Sequence, residues 1–134
     1  MIYMLDTNVC VALIRHKPPA ILSKIQALSI GDVGLSSITV AELAYGAQKS
    51  RYVAENQQAL EQFLLPLQVA DFDYDAALAY GEIRARLERQ GAPIGSLDTL
   101  IGAHAVSLGV TLVTYNLREF SRIPDLSVED WTQD

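Results

Sequence analysis

Ile2-Tyr3-Met4-Leu5-Asp6-Thr7-Asn8 is the stretch whose reading decides the fold. Four apolar residues ended by a carboxylate read as a short strand buried on both faces. Val9, Ala12, Leu13 and His16 then fall at helical spacing. Asp6 therefore stands where a strand turns into a helix, and in open parallel sheets ligands bind beyond that edge. A helix N-cap explains Asp6 equally well, since Asp accepts a bond from a helical amide. The positions of the other acids bear on the choice.

Working outward, Pro18-Pro19 breaks the first helix and opens a second, and Gly31-Asp32 is a turn. Val33-Gly34-Leu35 is a strand candidate, followed by a helix from about Ile38 to Ser50 and another from Ala54 to Leu65. Val69 to Phe72 is a weak strand. The spacing of Ala76, Tyr80, Ile83 and Leu87 predicts a long helix over Tyr74 to Arg89, and Ser96 to Leu108 reads as a helix closed by Gly109. Val110 to Thr114 is β-branched and reads as a strand; Leu126 to Val128 is a last short one. Strands alternating with helices predict a three-layer α/β/α sandwich around a mostly parallel sheet, one domain over residues 1–134.

Composition narrows the class. Half of the residues are apolar, and no apolar run approaches the roughly eighteen residues of a membrane span. Asp6 and Asn8 interrupt the N-terminal apolar run, which argues against a signal peptide. The single Cys10 reads as a small buried residue in a reducing cytoplasm. One Cys with the distant His16 and His104 makes a poor zinc site. The net charge of −6 disfavours non-specific nucleic-acid binding, yet Arg15, Lys17 and Lys24, Lys49 and Arg51, and Arg84, Arg86 and Arg89 form groups. They suit a basic rim around an acidic centre, or simply solvated helix faces.

Topology brings the acids together. Glu42 lies early in the helix after the second strand, and Asp98 opens a helix that must start at the sheet's carboxyl edge. Asn116 directly follows the strand Val110 to Thr114. Each has a housekeeping explanation: Thr39 to Glu42 matches a capping box, Ser96 an N-cap with Asp98 on the helix dipole, and Asn116 a left-handed turn residue. Three carboxylates at one edge are harder to dismiss. At an effective dielectric of about 20 and about 5 Å, each pair repels by roughly 3 kcal/mol, more than capping bonds of about 1 kcal/mol return. A hard divalent cation, Mg²⁺ or Mn²⁺, would offset the repulsion.

Met4 to Asn8, Ser37 to Gly46, Ile94 to Ala105 and Leu112 to Phe120, in this order, resemble the motifs of PIN-domain ribonucleases, and more closely the VapC toxins of VapBC toxin–antitoxin pairs. The resemblance runs through to Trp131. It implies a Mg²⁺-dependent endoribonuclease, with Mn²⁺ as a substitute, cutting transfer RNA and specifically initiator tRNA in its anticodon loop. It also implies a homodimer and a VapB antitoxin whose C-terminal arm fills the active-site groove. Asp6, Glu42 and Asp98 match the family's acids, with Asp6 and Asp98 as direct metal ligands and Glu42 direct or through water. The fourth position, often Asp, is Asn116 here, with Glu119 one turn on as a substitute. Thr7, Asn8 and Thr114 are candidates for hydrogen bonds that hold the carboxylates. Ser96-Leu97 depart from the proline and aromatic residue often found before the third acid. Two other readings remain open. A haloacid-dehalogenase-like phosphatase would start with Asp-x-Asp, but residue 8 is Asn. A degenerate binding module would use its acidic groove only to receive a basic partner.

Overall fold

In the computed structural model, residues 1–132 are described; residues 133–134 of the expected domain lie outside the described residues. The chain runs β1 (Tyr3–Leu5), α1 (Thr7–Arg15), α2 (Pro19–Gln26), β2 (Val33–Ser36), α3 (Ser37–Gln48), α4 (Val53–Leu64) and β3 (Gln68–Ala70). It continues α5 (Tyr74–Arg89), α6 (Ser96–Leu108), β4 (Thr111–Val113), α7 (Leu117–Phe120) and β5 (Val128–Glu129). The strands form one parallel sheet in the order β3-β2-β1-β4-β5, with β1 at its centre. Tyr3, Met4 and Leu5 pair with Thr111, Leu112 and Val113, which puts the ends of β1 and β4 side by side.

Strand alternation makes the layers. Leu5 and Val113 point into one core, shared with Val9, Leu13, Ile21, Leu43 and Leu60 of α1 to α4. Their neighbours Met4 and Leu112 point to the opposite face, against Ile83, Leu87, Ile101 and Phe120 of α5 to α7. Each fully buried aliphatic contributes about 1.5–3 kcal/mol, so both faces of β1 hold the sheet between the helical layers. The sandwich expected from the alternation of elements is the one observed.

Two glycines set local geometry. A Cβ on Gly34 would run into the Gln68 carbonyl, so its absence lets β2 and β3 approach. Gly109 closes α6 with φ 67°, a left-handed C-cap. Several boundaries shift from the sequence reading. Ser36, not Thr39, is the N-cap of α3, its Oγ accepting from Ile38 N–H at 3.0 Å, so Thr39 and Glu42 lie inside the helix and form no capping box. Gly95 rather than Ser96 caps α6, without a side-chain bond. The last strand lies at Val128–Glu129. The short α7 was not anticipated, and no described helix is long and apolar enough to cross a membrane.

Candidate active site at the carboxyl edge of the sheet

Asp6 leaves the end of β1 and is only 3% exposed. Its Oδ1 accepts from Thr7 N–H at 2.8 Å, so it does cap α1, while Oδ2 accepts from the Thr114 hydroxyl at 2.8 Å. Thr114, buried after β4, also accepts from Asn116 N–H at 2.9 Å. One hydroxyl therefore ties the ends of the two central strands together. On the α3 side, Thr7 Oγ1 donates to Glu42 Oε1 at 2.7 Å and stands 3.2 Å from Thr39 Oγ1. Thr39, fully buried, reads in the sequence only as a capping residue; its contact with Thr7, 32 residues away, is what links it to the site.

Asp98 sits in the first turn of α6, half-buried. Its pKa is pushed up to about 6, first by burial and then by the negative charges of Asp6, Glu119 and Glu42. Burial also raises Asp6, against the opposing bonds from Thr114 and Thr7, with Glu42 adding to the rise. The four carboxylates thus share one electrostatic neighbourhood. Among the described residues the one ion pair, Arg84 with Glu88, lies elsewhere, on α5, so none of the four carboxylates is held in a salt bridge there.

The remaining expected residues divide. Asn116 caps the start of α7 at φ −105°, outside the left-handed region, and its Nδ2 donates to Glu119 Oε2 at 3.0 Å. Asn116 and Glu119 are therefore coupled rather than alternatives. Asn8 is exposed and makes no hydrogen bond to any of the acids, because at the second position of α1 its side chain projects outward. Cys10 is buried, and burial with the nearby Asp6 charge raises its pKa, leaving an inert thiol.

The donor set is hard oxygen, crowded with like charge, which fits a hard divalent cation. Among the described residues no three His, Cys, Asp or Glu side chains close into a ready-made cage. Beside the acids, a cleft of about 390 Å³ runs between α1, α3 and α4, bordered by Thr7, Glu42, Tyr45, Lys49 and Leu97.

A PIN-domain family model matches residues 3–126. The chain is 46% identical over 129 residues to the tRNA(fMet)-specific endonuclease VapC of Salmonella typhimurium, covering 96% of this chain and 97% of that one. It is 44% identical over 132 residues to ribonuclease VapC2 of Rickettsia felis, covering 98% of each. The fold superposes on VapBC2 from Rickettsia felis, solved bound to a DNA fragment from its promoter, with a TM-score of 0.93 at 43% identity, over 98% of this chain and 99% of that one. The carboxylate edge therefore lies on a fold and a sequence shared along the whole length of these relatives, and the chain belongs to the PIN-domain family, in its VapC branch.

Proposed function

We propose that this protein is a Mg²⁺-dependent endoribonuclease, the toxin of a VapBC-type pair, which cuts transfer RNA and so blocks translation. The reading is carried by the four carboxylates gathered at the sheet's carboxyl edge, none of them in an ion pair among the described residues. Asp6 and Asp98 are the residues that would hold the cation directly. Glu42, held by the Thr7 hydroxyl beside them, would be the further ligand, direct or through a water. Mn²⁺ has the same preference for hard oxygen and is the natural substitute.

When bound, the cation supplies Lewis acidity towards the scissile phosphodiester. The chain supplies position and proton handling. Thr114 and Thr7 N–H fix both oxygens of Asp6, so the carboxylate is oriented before a ligand arrives. Glu42, aimed by Thr7 Oγ1, is the candidate to accept a proton from the attacking water. Asn116 holds Glu119 by its amide, leaving its own oxygen for a polar ligand. The relatives named as tRNA(fMet)-specific endonucleases support initiator tRNA as the substrate, and the solved VapBC complexes support a VapB-type antitoxin as the inhibitor. The protein is proposed to act as a cytoplasmic homodimer.

The test is incubation of the purified protein with initiator and elongator tRNAs in Mg²⁺ or in EDTA. Discrete Mg²⁺-dependent fragments of initiator tRNA, lost in Asp98→Asn, support the reading. Intact RNA from a folded, metal-loaded, antitoxin-free protein would overturn it.

A further inference from the structure

His104 of α6 is 1% exposed, and nothing in the carboxylate chemistry uses it. Its Nδ1 stands 2.8 Å from the Oγ of Ser36, itself fully buried. Ser36 is the N-cap of α3. The edge of the His104 ring packs on Phe72 at 5.3 Å between centroids, and Nε2 closes no hydrogen bond. The carboxylates of Asp71 and Asp73, between β3 and α5, are the charged groups near the ring, with the Asp71 backbone beside them; from β2 and α3 it meets the neutral Ser36.

In one arrangement the Ser36 hydroxyl both accepts and donates. Ser36 Oγ already accepts from Ile38 N–H, so its own proton is free to go to Nδ1. That leaves the ring proton on Nε2, facing the Asp71 backbone. A protonated ring reverses the bond: Nδ1–H would donate into an oxygen already capping α3, and the Ser36 proton would lose its acceptor. Ser36 lies six residues before Glu42, and His104 six residues after Asp98. At 1.5 Å per residue the contact sits about 9 Å behind each acid.

We propose that neutral His104 is a positioning residue for the metal-bearing site: through Ser36 it sets α3, which carries Glu42, against α6, which carries Asp98. This rests on the nuclease reading above for the reaction it serves, though not for the contact itself. An apolar residue would fill the same space without leaving Nε2 unpartnered, but it could not hold the cap of α3. Burial holds the imidazole below its ordinary pKa. The unfolded chain therefore protonates first: the stability that neutral His104 lends starts to fall below about pH 6.5, while the folded ring stays neutral, and keeps its bond to Ser36, to lower pH than a free imidazole would.

The experiment combines imidazole ¹⁵N spectra of the wild type with Mg²⁺ titrations of His104→Leu, His104→Asn and Ser36→Ala. The wild type should show the Nε2–H tautomer with Nδ1 unprotonated above about pH 7. His104→Leu should raise the Mg²⁺ midpoint and lower kcat by about tenfold each, with KM for tRNA within about twofold. His104→Asn, whose carbonyl can accept from Ser36, should recover most of both losses and flatten their dependence on acid pH. Ser36→Ala should cost less in the His104→Leu background than in the wild type, because only the cap bond to Ile38 N–H is then left to lose. A folded His104→Leu with the wild-type Mg²⁺ midpoint, or a wild-type ring protonated on Nδ1, would overturn the proposal. If the wild type cleaves no RNA, the nuclease reading fails by itself, and the Mg²⁺ midpoints read by calorimetry still decide the role of His104.

Discussion

Both oxygens of Asp6 are engaged before any ligand arrives, one by the first amide of α1 and one by Thr114. Capping and site formation are thus the same geometry, since each carboxylate oxygen keeps a second lone pair. That is why the sequence could not separate the two readings of Asp6, and why the convergence of Asp98, Glu42 and Glu119 was needed. Asp98 yields a pH prediction. Its folded pKa of about 6 lies above the ordinary carboxylate value, so the folded state binds the extra proton more tightly. Without metal, the penalty is full above about pH 6 and fades as pH falls towards about 4. Asp98→Asn should therefore stabilise the metal-free protein at neutral pH by roughly 1–2 kcal/mol after solvent screening, with no gain near pH 4. Urea melts in EDTA at the two pH values measure it. Asn116 gives a second prediction. Asn116→Asp replaces a donor to Glu119 by a like charge, so it should lower Tm in EDTA and show a larger rise in Tm on adding Mg²⁺ than the wild type. Equal Mg²⁺ responses in thermal melts would remove Asn116 from the site.

At the scale of elements, periodicity carried most of the fold. α5 and α6 match their expected spans, Tyr74–Arg89 and Ser96–Leu108, because long amphipathic runs and a Gly cap are local signals. What was lost lies in short elements. α7 spans four residues, less than the period needed to reveal a face, and β5 is defined by pairing to β4, which is non-local. The cap of α3 was misplaced because Ser36 and Thr39 are both good N-cap residues, and only the end of β2 selects Ser36. Two glycines make opposite predictions. Gly34→Ala should destabilise by about 2 kcal/mol or more, because its Cβ meets the rigid Gln68 backbone. Gly46→Ala, in the last turn of α3 where an added Cβ meets nothing, should stabilise by about 0.5 kcal/mol. Denaturant midpoints of the two variants check the pair.

For the whole molecule, charge and topology act together. The parallel order β3-β2-β1-β4-β5 puts the ends of β1 and β4 side by side, and the helices after β2 and before β4 bring Glu42 and Asp98 to the same edge. The net charge of −6 is thereby partly concentrated at one place, where it selects a cation and, beyond it, the backbone of a nucleic acid. A basic side chain from an antitoxin arm would satisfy the same carboxylates, so inhibitor and metal should compete: the arm's apparent affinity should fall as Mg²⁺ rises, as read by calorimetry. Unchanged affinity would place the arm away from the acids. The central claim, that the carboxylate edge is a metal-dependent RNA-cleaving site, is tested most directly by the cleavage rate of initiator tRNA against Mg²⁺ concentration for the wild type and Asp98→Asn. The account predicts a rate that saturates with Mg²⁺, vanishes in EDTA, and falls by at least about a hundredfold in the folded variant. Cleavage that persists in EDTA, or an Asp98→Asn variant as fast as the wild type, would contradict it.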